Sequence, residues 1–251
     1  MKVITIANQK GGVAKTTTAN ALIAGLTERG FKVLGIDLDP QHNLSATMGA
    51  GNTQSTILGV LLGEVSMKDA IIETPTGDLV PSSIKLASAD KALADEIGKE
   101  CRLEKALKSI AGKYDYCVVD TPPALNLLTV NALMACDSVV IPVKLDGYSL
   151  QGYEQLTSTI NDIREFFNRK FKITGILVTD YDARTNISKE VLELLDQLTA
   201  VLKANVFETR IRHAAKASEM QFHSEGIFKY APRTNFAKDY SAWIEELLSS
   251  L

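Results

Sequence analysis

The chain has 251 residues, of which 45% are hydrophobic, and its formal net charge is −3 at pH 7. This length and apolar content are enough for a full hydrophobic core, and they exclude the disordered and fibrous classes of protein. The slightly acidic charge argues against a generally basic nucleic-acid binder, so any such activity requires a local basic patch.

The composition also bears on the cellular compartment. No run of eighteen apolar residues is present, and the N-terminus enters an apolar strand pattern without a signal-peptide pattern. We therefore expect a cytoplasmic protein. The cysteines Cys101, Cys117 and Cys136 lack C-x-x-C spacing and lie in or beside apolar segments. This placement favours reduced core residues over disulfide or zinc roles.

The first distinctive stretch is a loop rich in glycine and lysine. Val3–Ala7 predicts a buried strand, and helical spacing of apolar residues predicts a helix from about Lys15 to Arg29 that Gly30 ends. Between them, residues 8–17 are Asn-Gln-Lys-Gly-Gly-Val-Ala-Lys-Thr-Thr. Glycines let backbone amides close around an anion, and a helix N-terminus favours negative charge, so the pattern predicts a phosphate-binding loop. The alternative is a glycine-rich turn with two solvated lysines.

The side chains of this loop suggest individual roles. Lys15 is placed to reach the outer phosphates of a nucleotide, and Thr16 offers a hydroxyl to Mg²⁺. The expected binding residues run from the first lysine of the loop onward, and they are Lys10, Gly11, Gly12, Val13, Ala14, Lys15, Thr16 and Thr17. Gln9 and Ala14 stand where the common G-x-x-x-x-G-K-[ST] spacing has glycines.

Two acidic residues follow the next predicted strand, Val33–Ile36. Asp37-Leu-Asp39-Pro-Gln41 lies at the carboxyl end of that strand, which is the edge where open α/β sheets bind ligands. Beside a phosphate loop, Asp37 and Asp39 predict a role at the nucleotide. The alternative is a turn rich in Asp and Pro.

Residues 43–112 carry no chemical motif. Their patterns predict helices at Thr56–Gly63, Ser66–Ile72, Ile84–Ile97 and Leu103–Ala111 and a short strand at Leu79–Pro81. Tyr114–Asp120 then predicts a strand that ends in an acid and is followed by Thr-Pro-Pro. An apolar strand with a terminal Asp suits a Walker B acid that holds Mg²⁺ through water, although strands also commonly end in an Asp turn.

The remainder of the chain continues the alternation of strands and helices. Strands are predicted at Ser138–Val143, Lys172–Val178 and Val206–Phe207, and helices at Leu150–Phe167, Val191–Leu202, His213–Phe222 and from about Phe236 to Leu251. This alternation predicts an α/β fold with a doubly wound, mostly parallel sheet that helices flank on both faces. No composition shift marks a linker, so we expect a single domain over residues 1–251.

The sequence resembles the ParA/MinD family of deviant Walker A ATPases, and most of all the ParA-type DNA-partition ATPases. The resemblance covers essentially the whole chain and rests on Lys10–Thr17, Asp37–Gln41, Asp120–Pro123 and, more loosely, Val178–Thr185. It implies a P-loop NTPase fold, ATP and Mg²⁺ as ligands, and hydrolysis of ATP to ADP and phosphate. It also implies a homodimer that ATP closes face to face.

The resemblance also assigns roles to residues. It implies Lys10, Lys15 and Asp39 as catalytic residues, with Lys10 reaching the phosphates of the partner subunit and Asp39 orienting the attacking water. The metal residues that it implies are Thr16, Asp37 and Asp120. Two positions depart from the family pattern. Ala14 stands where the family has a loop glycine, so we expect an ordinary negative φ at this position. Ile211-Arg212 stands where the family has Ile-Pro, so the family's adenine contacts are not carried over.

The partners that the resemblance implies are non-specific double-stranded DNA and a ParB-like centromere-binding adaptor, on the nucleoid and without a membrane. Charge is segregated in a compatible way, because Arg169–Arg233 holds eleven of the 27 basic and eight of the 30 acidic residues. The expected DNA-binding residues are Arg184, Arg212, Lys216, Lys229 and Arg233. The alternative is a set of ordinary solvated charges.

Other functions of the same superfamily are open. A MinD-like membrane-cycling ATPase needs a basic amphipathic C-terminal helix, whereas this terminus carries Glu245 and Glu246, so we expect its apolar stripe to dock on the domain itself. An iron–sulfur reductase relative needs paired cysteines near the dimer face, whereas Cys117 lies within a predicted strand, which argues against this function. A metabolic enzyme and the positioning of cargo other than DNA stay as alternatives. The first predicted strand begins at residue 2, so we expect no N-terminal helix-turn-helix domain.

Overall fold

The computed structural model of the protein describes residues 1–51, 53–144, 151–167, 170–181, 189–213 and 226–251. Its strands are β1 (Lys2–Ile6), β2 (Val33–Asp37), β3 (Asp78–Val80), β4 (Tyr116–Asp120), β5 (Ser138–Lys144) and β6 (Lys172–Thr179). They form one sheet in the order β3-β2-β4-β1-β5-β6, and every pairing is parallel. The predicted α/β fold class is confirmed.

The register of the central strands gathers the polar motifs at one point. β4 pairs with β1 on one side and with β2 on the other. Asp120, the last residue of β4, is opposite both Ile6 of β1 and Asp37 of β2. Three strands therefore end level with one another, and the loop after β1 lies beside the acids that end β2 and β4. Ligands bind at this edge of an open α/β sheet.

Helices fill the connections between the strands. The α-helices are α1 (Lys15–Glu28), α2 (Asn43–Thr47), α3 (Ile57–Leu62), α4 (Met67–Ala70), α5 (Ala89–Ala92), α6 (Arg102–Lys108), α7 (Leu127–Ala135), α8 (Gln151–Phe166), α9 (Lys189–Leu202), α10 (Ile227–Tyr230) and α11 (Asn235–Ser250). Short 3₁₀ turns cover Ile84–Ser88 and Lys99–Cys101. In the part of the chain that the structure describes, no helix is both long and apolar enough to cross a membrane.

The sheet separates two hydrophobic cores. Successive strand residues alternate between them, as Cys117 and Val118 of β4 do. Helices α3, α6, α7, α8 and α9 cover one face of the sheet, while α1 and α11 cover the other. Because both faces are buried, the strands are apolar along most of their length, which makes them recognisable in the sequence.

The C-terminal helix α11 packs on the domain itself, as predicted. Tyr240 and Trp243 are fully buried, and their rings meet edge to face with centroids 6.0 Å apart. The Tyr240 hydroxyl also forms a hydrogen bond of 3.0 Å with the Thr18 hydroxyl of α1. The apolar stripe of α11 is therefore part of the core.

Two predicted elements differ from the structure, and three helices, α2, α7 and α10, were not predicted. The helix predicted at Ile84–Ile97 is wrong, because only a 3₁₀ turn and α5 form there, and Ile97 is 98% exposed. The predicted strand at Val206–Phe207 reduces to a single bridge between Val206 and Ile176. Helix α7 was not predicted, because it is buried on most sides and so lacks an amphipathic pattern. From residue 214 onward, the helix predicted to Phe222 lies outside the described residues.

Candidate nucleotide-binding site

The loop between β1 and α1 has an unusual backbone. Both Gly12 and Ala14 adopt left-handed conformations, with φ angles of 72° and 63°. The predicted negative φ at Ala14 is therefore wrong. Left-handed residues in a tight turn bring successive amides into one concavity, and such concavities bind anions. The turn thus imposes the glycine-like conformation whether or not the residue is glycine.

The concavity contains backbone N–H donors that have no acceptor among the described residues. The backbone amides of residues 11–17 donate no hydrogen bond to any described residue. A Cβ atom built on Gly11 or Gly12 would meet nothing within 4 Å, so the space over the glycines is open. Seven adjacent donors at the start of a 14-residue helix make a strong anion site, because the helix dipole adds partial positive charge there.

Neighbouring side chains hold the loop in place. Asn8 accepts a hydrogen bond of 3.0 Å from the Lys10 amide and donates one of 2.6 Å to the Pro142 carbonyl. The Thr179 hydroxyl donates to the Val13 carbonyl over 3.2 Å. We did not predict these supports. The turn at Asn8 has a recognisable signal, because Asn side chains commonly accept from the amide two residues ahead.

Lys15 lies under the loop rather than in solvent. Only 7% of its surface is exposed, and its ammonium donates to the Lys10 carbonyl over 2.9 Å. Burial lowers the pKa of Lys15, while the negative charges of Asp120 and Asp39 act in the opposite direction. The predicted phosphate lysine is therefore in the centre of the site. Lys10 itself is half-buried at the entrance of the loop.

Asp120 is a buried acid without a firm partner. The residue is fully buried, and neither carboxylate oxygen has a partner at full hydrogen-bond geometry among the described residues. Burial, and then the neighbouring Asp37, raise the pKa of Asp120 well above its usual range, which the Thr16 hydroxyl and Lys15 partly oppose. An unpaired buried carboxylate is costly in free energy, so buried carboxylates in proteins are paired with another group or bind a metal. Asp120 with Thr16 therefore fits a hard divalent cation.

Asp37 has a different environment, although it is just as buried. Its Oδ1 accepts from the Asp39 amide over 3.0 Å, and its Oδ2 accepts from the Ser45 amide and hydroxyl over 2.8 and 2.7 Å. Burial raises the pKa of Asp37 to about 6, although the bonds from Ser45 and Asp39 oppose that rise. Both oxygens of Asp37 are thus engaged by the protein, whereas those of Asp120 can accept a ligand.

Asp39 lies near Lys15 in the same site. It is 7% exposed, and its Oδ1 accepts from the Gln41 amide over 2.9 Å. The alternative of an Asp-rich turn is therefore correct for its local geometry, since this bond is the usual Asx turn. The turn does not exclude a second role, because Asp39 also lies close enough to influence the pKa of Lys15.

The structure describes only some of the expected DNA-binding residues. Arg184 and Lys216 lie outside the described residues. Arg212 donates from Nε and Nη2 to the two carboxylate oxygens of Asp239 over 2.8 and 2.6 Å, and it keeps 40% of its side chain exposed. Lys229 and Arg233 are exposed. The structure thus brings the loop, Asp37, Asp39 and Asp120 together and leaves the basic surface as a prediction.

An ion-pair cluster flanks the loop where β5 and β6 end. Asp180, with a left-handed φ of 56°, contacts both Lys144 and His213. Partial burial favours the neutral carboxyl, but hydrogen bonds from Lys144 and His213 prevail and lower the pKa of Asp180. The cluster follows directly on Thr179, which binds the loop. It was not predicted from the sequence, because its members come from three distant segments.

Comparisons with known proteins identify similar chains. The family described as an AAA domain matches residues 1–173. The sporulation initiation inhibitor protein Soj of Bacillus subtilis (strain 168) is 37% identical over 253 residues, which covers 99% of this chain and 99% of Soj. The chromosome partitioning protein ParA of Myxococcus xanthus is 37% identical over 251 residues, which covers 98% of this chain and 88% of that protein.

A solved structure extends the comparison to ligands. The crystal structure of cobyrinic acid a,c-diamide synthase from Mycobacterium smegmatis, with bound ADP and magnesium, matches with a TM-score of 0.85 and 33% identity. The match covers 99% of this chain and 94% of that one. The similarity therefore extends over nearly the whole of both chains.

Proposed function

Because the chain belongs to the ParA/MinD family of P-loop ATPases, we propose that it is a Mg²⁺-dependent ATPase whose ATP-bound dimer binds DNA in plasmid or chromosome partition. The observation that carries the proposal is the position of Lys15 and Asp120 beneath a loop of unbonded amides. This site occurs in a chain that matches the partition proteins Soj and ParA over nearly its whole length.

ATP and Mg²⁺ are the ligands that the site fits. The synthase of Mycobacterium smegmatis, which is 33% identical, binds ADP and magnesium. In this chain the amides of residues 11–17 would hold the phosphates, and Lys15 would replace its bond to the Lys10 carbonyl by one to a phosphate oxygen. Thr16 and Asp120 would hold the metal, with Asp37 close by. Mg²⁺ supplies neutralisation of the negative charge that spreads over the phosphates during transfer.

Hydrolysis then depends on two further residues. Asp39 orients the attacking water, and a carboxylate in that role acts through position more than through basicity. Lys10, at the entrance of the loop, would reach the phosphates of the partner subunit. A cation supplied by a second subunit makes hydrolysis conditional on dimerisation, because the charge that develops between the phosphates is stabilised only in the dimer.

Dimerisation also provides a switch for DNA binding. Contacts between phosphate groups and single basic residues are weak and sensitive to salt. A dimer doubles their number, so ATP can switch binding on without a change at any one contact. We assign these contacts to Arg184, Lys216, Lys229 and Arg233, and to the exposed part of Arg212. A ParB-like adaptor would accelerate the slow turnover and release the nucleoid-bound dimer.

A second candidate has a specific observation in its favour. The chain is 33% identical, with a TM-score of 0.85, to cobyrinic acid a,c-diamide synthase of Mycobacterium smegmatis, whose name denotes the synthesis of a small molecule. A metabolic enzyme would turn over without DNA and would require an acceptor molecule. Membrane cycling of the MinD type is disfavoured, because the apolar residues of α11 are buried in the core.

One binding experiment separates these functions. The protein is mixed with non-specific duplex DNA in ATP, ADP or no nucleotide, and in parallel with liposomes that contain anionic lipid. We expect DNA binding in ATP alone and no flotation with liposomes. Flotation in ATP would favour the MinD-like function. Binding to neither surface, together with hydrolysis of ATP, would favour the metabolic enzyme.

A further inference from the structure

Four buried polar residues beside the loop form a closed ring of hydrogen bonds. The Asp39 amide donates to Asp37 Oδ1 over 3.0 Å, and the Ser45 hydroxyl donates to Asp37 Oδ2 over 2.7 Å. The Ser82 amide donates to the Ser45 hydroxyl over 2.9 Å, and the Ser82 hydroxyl donates to the Asp39 carbonyl over 2.8 Å. Each residue of this Asp37–Ser45–Ser82–Asp39 ring therefore binds the next one.

The ring is shielded from water. Asp37 is fully buried, and Ser45, Ser82 and Asp39 are 4%, 7% and 7% exposed. Hydrogen bonds that are satisfied in a buried network are strong, and the loss of one member leaves its neighbours unpaired at a high cost. The geometry of Asp39 is consequently fixed by its neighbour Asp37, by Ser45 in the following helix, and by Ser82, which is 43 residues away in the chain.

The ring also joins three separate elements of the fold. Asp37 ends β2, Ser45 belongs to the short helix α2, and Ser82 follows β3 at the edge of the sheet. Ser82 is thus the point at which β3 holds the backbone of Asp39. Without it, the turn at Asp39 keeps only bonds to neighbouring residues: those from the Gln41 amide to its side chain, from the His42 amide to its carbonyl and from its own amide to Asp37.

We propose that Ser45 and Ser82 are positioning residues for ATP hydrolysis, which hold Asp39 at the place where it orients the attacking water. The inference rests on the proposed ATPase function and adds to it two residues outside the family motifs. Among the described residues, neither serine forms a hydrogen bond with the phosphate loop, so each would act on the rate of hydrolysis and not on the affinity for nucleotide.

Ser82→Ala is the main test, and Ser109→Ala is its matched control. Ser109 also donates its hydroxyl to a backbone carbonyl, that of Ala106 at 2.7 Å, but it is exposed and remote from the site. Displacement of a catalytic group by about 1 Å costs on the order of 100-fold in rate. We expect Ser82→Ala to lower the single-turnover rate of ATP hydrolysis by roughly 10- to 100-fold. The dissociation constant for ATP should stay within about twofold, because uniform binding is retained.

A double variant distinguishes positioning from general damage. If Ser82 acts through Asp39, then Ser82→Ala has no further effect on the residual hydrolysis of Asp39→Ala, because effects within one unit are not additive. Ser82→Thr, which keeps the hydroxyl, should restore most of the rate. An equal fractional loss from Ser82→Ala in both backgrounds would overturn the inference, and so would wild-type turnover in Ser82→Ala.

Hydrogen exchange of the nucleotide-free protein provides a readout without activity. In Ser45→Ala the Ser82 amide loses its acceptor, so it should exchange faster than in the wild type, while the Gln41 amide keeps its bond to Asp39. Unchanged exchange at Ser82 would contradict the ring. A wild-type protein that hydrolyses no ATP would refute the proposed function, whereas an active wild type with fully active serine variants would refute only this inference.

Discussion

The left-handed conformation of Ala14 allows a sharp test of the loop. A residue other than glycine pays roughly 1–2 kcal/mol for a left-handed φ, because its Cβ crowds the following carbonyl oxygen. Ala14 has a φ of 63°. The substitution Ala14→Gly removes that strain but gives the unfolded chain more freedom, which costs about 0.4–1 kcal/mol. We therefore expect Ala14→Gly to stabilise the nucleotide-free protein by roughly 0.5–1 kcal/mol.

Two glycines in the same loop supply the converse change and the control. Gly12 has a φ of 72° with open space around a built Cβ, so Gly12→Ala should destabilise through the backbone alone, by about 0.5–1 kcal/mol. Gly11 has equally open space and no left-handed φ. Gly11→Ala should therefore stabilise the protein by about 0.4–1 kcal/mol, because it restricts only the unfolded chain.

Urea unfolding of the three variants without nucleotide measures these differences. The slope of unfolding free energy against urea should be unchanged, so the midpoints report stability directly. ATP affinity of Ala14→Gly should be close to that of the wild type, because the amides keep their positions. Destabilisation by Ala14→Gly, or a stable Gly12→Ala, would show that the loop does not have the left-handed turns on which the anion site depends.

Three further predictions concern the charges of the site. Lys15→Ala should lose most ATP affinity, whereas Lys10→Ala should bind ATP and lose hydrolysis; equal loss of binding, measured by calorimetry, would remove the role of Lys10 across the dimer interface. Burial raises the folded-state pKa of Asp120, so that its contribution to stability is present at low pH and lost as the pH rises. The nucleotide-free wild type should thus be less stable at pH 8 than at pH 5.5, and Asp120→Asn should reduce this difference in urea midpoints; an unaltered pH dependence would contradict the buried, unpaired carboxyl. Arg184→Glu and Lys216→Glu should each abolish DNA binding and leave ATP binding and dimerisation intact, with wild-type affinity falling steeply with salt; two variants that hold duplex DNA normally would place the DNA surface elsewhere.

Much of the site could be predicted from the sequence, because parallel strands deliver their following residues to one edge. The loop after β1 and the acids Asp37 and Asp120 needed only the recognition of three apolar strands. The register then places Asp120 opposite Asp37, which the sequence could not specify. Local sequence patterns thus predict which residues lie at the site, and the order and register of the strands determine how close together these residues lie.

The remaining features depend on contacts between distant segments. The bond between Ser82 and the Asp39 carbonyl spans 43 residues, and no local pattern marks either end. The conformation of Ala14 was mispredicted because the usual preference of alanine is overridden by the turn in which it lies. Helix α7 was not predicted because burial on most of its sides removes the apolar periodicity by which a helix is recognised. One local signal is present, since the Asn126 side chain caps the helix by accepting a hydrogen bond from the Thr129 amide.

In the proposed function, ATP binding creates the DNA-bound state and ATP hydrolysis ends it. This cycle is tested most directly by loading the protein with ATP on a labelled non-specific duplex, adding excess ADP, and following DNA release and phosphate release in the same sample. We expect the wild type to leave DNA at the rate of phosphate release, and Asp39→Ala to bind in ATP but remain on the DNA without releasing phosphate. Equal DNA binding in ADP and ATP, or release of Asp39→Ala at the wild-type rate, would contradict this cycle.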